Sequence, residues 1–351
     1  MKDQKVVRND MNPLISVVMS VYNAEQFISE TIESVLHQTY TNFEFIIIDD
    51  ASTDDSNSII RSYNDPRMRI HVNHENFGLT RSLNIGLNMA SGEYIVRQDA
   101  DDVSHITRFQ KQLDFFRTNP YFDILGTQAN YIYENGDNAK GFRIHKPLTK
   151  PAILFSLTYD SPFIHSTVMF KRKSVWGKLK GYDELFRTSQ DLQLWSRASK
   201  ELSLANMSEA LLNFRIVKTS VSSNYKVADI HKLAPIYLSN CIQSGFNKQK
   251  AELFVSFLYR FIFRKPLDEC RYEEIPKFLY WHIRKIAVNK SGNEQSNLDK
   301  YFYVQTLLFF SINTFSKAKN LSFQFLFFAF LLNPFIFFTI LIKEFVKRFI
   351  D

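Results

Sequence analysis

In the first third of the chain, apolar residues form short continuous runs separated by stretches of helical spacing. Residues 14–21 and 43–48 are apolar and of strand length, and the second run reads as a strand buried on both faces. Between them, over 24–37, Phe27, Ile28, Ile32, Val35 and Leu36 recur at the spacing of one helix face. Ser52, Thr53 and Asp54 offer N-caps for a helix through Tyr63. Residues 68–72 make a third strand, 79–89 a helix after Gly78, and 94–96 a fourth strand. Strands and helices alternating through short connections predict an α/β domain, a Rossmann-like and mostly parallel sheet with helices on both faces. From 108 to 183 the pattern is mixed, with short strands at 124–133 and 166–170 and a polar turn at Asn135-Gly136-Asp137. Residues 191–200 read as a helix that opens on an acid.

The remainder, 225–351, is helical in pattern and forms a C-terminal extension. A length of 351 residues fits one main domain plus such an extension. The expected division is a polar N-terminal tail over 1–13, the α/β domain over 14–220 and a basic, aromatic-rich region over 221–351. Charge changes sign near that boundary. Up to residue 214 there are 23 Lys+Arg against 26 Asp+Glu, and beyond it 20 against 10. A basic and greasy tail points to an anionic membrane surface on the cytoplasmic side and away from nucleic acid. The uncharged stretch 321–342 is long enough to span a bilayer, but Asn333-Pro334 interrupts it. Two short helices lying on the membrane, held by Lys343, Lys347 and Arg348, are expected; helices buried against the main domain and a true span are the alternatives. An apolar content of 45% excludes a wholly disordered chain. Cys241 and Cys270 are too few for a disulfide framework or a four-thiolate zinc site. Residues 1–12 lack the apolar core of a secretory signal.

Polar residues cluster where strands end. Tyr22-Asn23, Asp49-Asp50 and Asp99-Ala100-Asp101 all follow strands, and in an open parallel sheet those ends share the edge where ligands bind. The carboxylates of Asp99, Asp101 and Asp102 repel one another unless a cation joins them. Hard oxygen ligands suit Mg²⁺ or Mn²⁺ with substrate phosphates completing the shell. The alternative is capping of a helix that starts near Val103. Asp50 is placed to accept hydrogen bonds from a ribose or base, or else to cap the next helix, with Ser20, Tyr22 and Asn23 on the neighbouring loop. Asp191 reads as a general base or as a plain helix cap. Arg81 and Arg97 read as phosphate-neutralising groups or as surface partners of nearby acids. His165 is a metal or diphosphate ligand, or a hydrogen-bonded structural residue. Trp176, Tyr182 and Trp195 are candidates to stack on a sugar, against the usual core role of such rings.

Five segments in order resemble the motifs of family 2 glycosyltransferases: residues 16–23, 48–54, Asn76-Phe77-Gly78-Leu79, Asp99-Ala100-Asp101-Asp102, and Gln190-Asp191-Leu192-Gln193-Leu194-Trp195. The resemblance covers about residues 14–218 and leaves the tail aside. It implies a GT-A fold, a nucleotide-sugar donor, Mn²⁺ or Mg²⁺, and inversion at the anomeric carbon. On that resemblance Asp50 contacts the nucleoside, with Ser20, Tyr22 and Asn23 on the same wall. Asn76, Gly78, Arg81 and Asp99 complete the nucleotide-sugar site. Asp99 and Asp101 hold the metal, with His165 as a further ligand, and Asp191 is the base. Ser20 stands where the family often has Pro, and Gln190 where it has Glu. The expected activity is non-processive transfer to a glycan or glycolipid hydroxyl in capsule, O-antigen or lipooligosaccharide synthesis, on the inner face of the cytoplasmic membrane. The competing classes are a metal-dependent nucleotidyl or phosphoryl transferase and a non-catalytic carbohydrate-binding scaffold.

Overall fold

A computed structural model describes residues 12–217, 227–259, 275–288 and 319–332, and positions 303, 306, 307, 310 and 337. The N-terminal tail up to residue 11, Asn333-Pro334 and the basic residues from Lys343 onward lie outside the described residues. The chain divides into two compact units, Met1–Ile144 with Phe163–Asp229, and His145–Pro162 with Ile230–Asp351. The division is therefore not the single cut near 220 that composition suggested, because 145–162 lies with the C-terminal unit.

In the first unit the elements run β1 (Ile15–Val21), α1 (Ile28–Leu36), β2 (Phe43–Asp49), α2 (Ser56–Ser62), β3 (Met68–Val72), α3 (Leu79–Met89), β4 (Tyr94–Gln98), β5 (Val103–Ser104), α4 (Arg108–Thr118), β6 (Ile124–Ile132) and β7 (Asn138–Ile144). Helix α5 (Lys150–Ser156) lies in the second unit, and the first resumes with β8 (Met169–Lys171), α6 (Gln190–Glu201) and β9 (Leu204–Arg215). The expected strands and helices up to residue 98 are present within a few residues of their predicted ends. The helix expected near Val103 is instead the short strand β5, whose Val103 and Ser104 pair with Asn213 and Leu212 of β9.

The sheet order is β3-β2-β1-β4-β8-β6-β9-β5, with β7 on β6. Strands β3, β2, β1 and β4 are mutually parallel. Beyond β4 the sheet is mixed, since β8 runs antiparallel to both β4 and β6 while β6 and β9 are parallel. The parallel half explains where the ligand edge lies. Winding proceeds outward from β1 to β3, then reverses to place β4 on the other side of β1. Right-handed crossovers therefore put α1 and α2 on one face and α3 on the other. Val17, Met19, Phe45, Ile47 and Val96 pack with Ile28, Ile32 and Val35 of α1, Ile60 of α2 and Phe109, Leu113 and Phe116 of α4. On the opposite face α3 approaches so closely that a Cβ on Gly86 would lie 2.5 Å from Val18 Cγ1. The reversal between β1 and β4 is the switch point at which an open α/β sheet binds its ligand.

The second unit contains α5, most of α7 (Val227–Gln243), α8 (Lys248–Phe257), α9 (Ile275–Val288) and α10 (Lys319–Leu332). Its core is aromatic. Ring centroids lie 5.7 Å apart for Phe155–Tyr303 and Phe254–Phe310, and 5.8 Å for Phe257–Phe325. Asn240 Nδ2 donates to the carbonyl of Leu157 at 2.9 Å, which ties α7 to the segment after α5. Part of the tail's aromatic content is therefore internal packing, while Trp281, Phe327 and Leu331 remain exposed. Among the described residues no helix is long and apolar enough to cross a membrane.

Candidate active site

The loops after β1 and β2 are bound to each other before any ligand is considered. Asn23, with φ of 51°, donates its N–H to Ser52 Oγ at 3.1 Å, and its Oδ1 accepts from Thr53 N at 2.8 Å. Its amide oxygen thus serves the loop after β2, while Tyr22 beside it is half exposed and Ser20 sits half-buried near the end of β1. Ala51 also occupies the left-handed region, at φ of 60°. A strained backbone at a strand end is a feature of ligand sites.

Asp50 is buried. Its Oδ1 accepts from Asn73 Nδ2 at 2.7 Å and from Phe77 N at 2.9 Å, and its Oδ2 from Gly78 N at 2.8 Å. The carboxylate thereby fastens the 73–78 loop that leads into α3 and does not cap α2. The positive φ of Gly78, 86°, permits that approach. Asn76 is exposed on this loop, and the exposed Arg81 lies 3.7 Å over the ring of Phe77.

The turn Asp99–Asp102 has every backbone carbonyl held by a side chain. Gln98 Nε2 donates to the carbonyls of Asp99 (3.1 Å) and Asp102 (2.9 Å). Thr31 Oγ1 donates to that of Ala100 (2.9 Å), and Arg215 Nε to that of Asp101 (2.8 Å). Asp102 itself is structural, since its Oδ1 accepts from Arg215 N at 2.9 Å. Burial and the charges of Asp101 and Asp99 push its carboxyl well above the usual range. Gln98 is held in turn by the wholly buried Arg108, whose Nη1 donates to Gln98 Oε1 (3.0 Å) and Ser104 Oγ (2.9 Å) and whose Nη2 donates to the Arg97 carbonyl (2.9 Å). The turn is thereby fixed from behind, which leaves the half-buried Asp99 and Asp101 as its partly accessible acids. Sequence reasoning missed Gln98, Arg108 and Arg215. The available signal was a polar Arg108–Gln112 pair at helical spacing among Phe109, Leu113 and Phe116.

The Asp101 carboxyl is pushed up to about 6, first by burial and then by the charge of Asp99. Two carboxylates in this state, with hard oxygen donors, fit a divalent cation that also holds phosphates. They do not form a closed cage. Among the described residues no three His, Cys, Asp or Glu side chains gather as a metal site. His165 is placed by a hydrogen bond to a neighbouring ring. Its Nε2 is 2.7 Å from the Tyr182 hydroxyl, and burial together with the charge of Arg97 holds its imidazole well below the usual range, hence neutral. In the metal-free protein the raised Asp101 pKa gives stability that is present at low pH and lost as pH rises from about 4 through 6, because the folded state holds the proton more tightly than the unfolded chain. Denaturation in chelator should show this loss, at most about 3 kcal/mol from Asp101, and Asp101→Asn should reduce it to the part that the raised Asp102 carboxyl contributes. The same slope in the variant would refute the assignment.

Tyr182 is where distant acids meet. Its backbone is fixed to α3, with Tyr182 N donating to Asn84 Oδ1 and Asn84 Nδ2 to the Tyr182 carbonyl, both at 2.9 Å. Burial holds the phenol protonated; the charge of Arg97 opposes this, and those of Asp191 and Asp99 reinforce it. Asp191, half-buried in the first turn of α6, therefore shares one electrostatic neighbourhood with Asp99, and Gln190 beside it is buried. Tyr182 and Trp195 are both buried, and the Trp195 ring packs 5.2 Å from Phe163, so these two rings are core groups and not sugar platforms. Trp176 is half-buried.

The model of the family described as "Glycosyl transferase family 2" matches residues 16–179. TuaG of Bacillus subtilis, described as "Putative teichuronic acid biosynthesis glycosyltransferase", is 34% identical over 221 residues, covering 60% of this chain and 82% of TuaG. The chain belongs to glycosyltransferase family 2. It is a glycosyltransferase of GT-A fold. The crystal structure of S. aureus TarS 1–349 with UDP-GlcNAc superposes with a TM-score of 0.57 at 16% identity, over 90% of this chain and 91% of that one. The mannosyltransferase PcManGT from Pyrobaculum calidifontis, in complex with GDP-Man and Mn²⁺, gives 0.51 at 15% identity, over 95% and 90%. At such identities these likenesses speak for the fold of this family 2 enzyme.

Proposed function

We propose that this glycosyltransferase moves a sugar, with inversion, from a nucleotide-sugar donor to a hydroxyl of a glycan or lipid-linked glycan in cell-surface polysaccharide assembly. The observation that carries the reading is the family 2 match over residues 16–179 together with the Asp99–Asp102 turn, which the fold fixes through its carbonyls at the end of β4 while Asp99 and Asp101 stay partly accessible. In the proposed reaction the acceptor oxygen attacks the anomeric carbon, and the bond from that carbon to the phosphate oxygen breaks on the opposite face. The proton passes to the Asp191 carboxylate, and the nucleoside diphosphate departs. Asp99 and Asp101 would hold a divalent cation, Mn²⁺ or Mg²⁺, whose chemistry is to neutralise the departing diphosphate. The Asp50-clasped 73–78 loop, with Asn76, Gly78 and Arg81, and the loop bearing Ser20, Tyr22 and Asn23 would frame the nucleoside. The role of TuaG supports the polysaccharide context, and the ligands of TarS and PcManGT support the donor class and the cation.

The basic tail and the exposed Trp281, Phe327 and Leu331 support peripheral attachment to the inner face of the cytoplasmic membrane. A panel of nucleotide sugars, with and without Mn²⁺, read by thermal shift and by released product, tests the enzyme. One donor should stabilise the protein, with the effect lost in chelator and in Asp101→Ala, and a nucleoside diphosphate should be released. Release of pyrophosphate would instead place the chain among nucleotidyl transferases. Salt-sensitive binding to anionic phospholipid vesicles tests the membrane reading; no binding at low salt refutes it.

A further inference from the structure

Arg97, read from the sequence as a phosphate-neutralising group or a surface partner of nearby acids, has a side chain that is only 2% exposed. It belongs to β4, where its backbone pairs with Val18 and its N–H donates to the Val168 carbonyl at 2.9 Å. Its guanidinium has one close anionic partner, Asp99, with Nη1 2.5 Å from Oδ1. The approach is not aligned as a hydrogen bond, and Nε, Nη1 and Nη2 all lack acceptors. A buried guanidinium with no satisfied donor is rare, because such groups are desolvated at a cost that hydrogen bonds normally offset. Among the described residues no second ion pair to Arg97 is found; the buried His165, whose imidazole the Arg97 charge helps hold below the usual range, and the protonated phenol of Tyr182 lie within its electrostatic reach. Arg97 therefore brings more donors than the described side chains around it offer acceptors. Asp99, the acid that it engages, is one of the two that would receive the metal.

We propose that Arg97 is a counter-ion that changes partners: it holds Asp99 while the site is empty, and it binds the diphosphate oxygens of the donor once a divalent cation takes Asp99. The deficit of acceptors around Arg97 matches the several oxygens of a diphosphate, for which a planar guanidinium is suited. The exchange also avoids a bare carboxylate pair in the empty enzyme, since the Arg97 charge offsets that of Asp99 until the cation arrives. Metal and diphosphate are then coupled through one side chain. Each should tighten the other, by the same factor in either order. The proposal rests on the donor class argued above.

The test measures Mn²⁺ binding by paramagnetic resonance in three proteins, with the metal alone and with UDP or GDP present. In Arg97→Met, Mn²⁺ alone should bind about tenfold tighter than in wild type, because the competing cation is gone. The factor by which UDP or GDP tightens Mn²⁺ should fall about tenfold or more. Arg97→Lys keeps the charge but not the fork. Its Mn²⁺ affinity should stay within about threefold of wild type while the diphosphate effect falls. Circular dichroism and melting of both variants establish that they fold, and the lysine variant carries the diphosphate arm if the methionine variant does not. Unchanged metal affinity and unchanged coupling in a folded Arg97→Met protein would overturn the proposal. If wild type binds Mn²⁺ but neither UDP nor GDP, the donor reading fails, and with it the diphosphate half. Tighter Mn²⁺ binding in Arg97→Met would still support the Asp99 half.

Discussion

Asp191→Asn should lower turnover by about 10²–10⁴ while leaving donor affinity within about threefold. The substitution keeps the shape of the side chain and removes its capacity to take the acceptor's proton. Asp191 lies in the first turn of α6, where a carboxylate favours the helix by about 0.3–1 kcal/mol. The measurement pairs nucleoside diphosphate release in the presence of acceptor with donor binding by calorimetry. A loss below about tenfold, or one explained by weaker donor binding, would remove Asp191 from the chemistry. A carboxylate base helps most when the proton moves late, as the attacking hydroxyl becomes acidic. The turnover defect should accordingly be larger than any change in KM.

Replacing Arg108 by Ala should destabilise the first unit by about 3–5 kcal/mol. The side chain is fully buried and touches no carboxylate; Nε donates to Gln112 Oε1 at 3.2 Å, and the remaining acceptors are Gln98, Ser104 and the Arg97 carbonyl. Burial lowers its pKa to about 9, which still leaves the guanidinium charged at neutral pH. Truncation leaves a cavity and several unsatisfied acceptors at once. The loss should also reach the site, because Gln98 is released from the side that orients it toward the carbonyls of Asp99 and Asp102. Chemical denaturation gives the stability. Metal-dependent donor binding, measured well below the transition, should weaken in parallel. Wild-type stability in Arg108→Ala would mean that the network behind the turn does not hold it.

The positions of the acids were legible because chain periodicity and strand ends are local properties. The apolar runs 14–21 and 43–48 could satisfy their backbone only as buried strands, so the polar residues that follow them had to emerge at one edge. Roles were less legible. Asp50 and Asp101 are both acids after strands, yet the carboxylate of one is spent on the 73–78 loop, while in the other it is the backbone carbonyl that is held. His165 looked available until Tyr182, seventeen positions onward, supplied its partner. Arg97 looked like a surface residue because a charged group within an apolar strand is usually solvated.

Local pattern alone determined the order of strands and helices up to residue 98, the edge at which chemistry collects, and the charge of the tail. Its physical basis is short in range, since backbone hydrogen bonding and side-chain alternation are settled within a few residues. Which carboxylates stay available, how far Arg97 is withdrawn from water, and that residues 145–162 join the C-terminal unit depended on three-dimensional contact. Desolvation and charge coupling are set by neighbours that are remote in the chain, and only the folded packing brings those neighbours within a few ångströms.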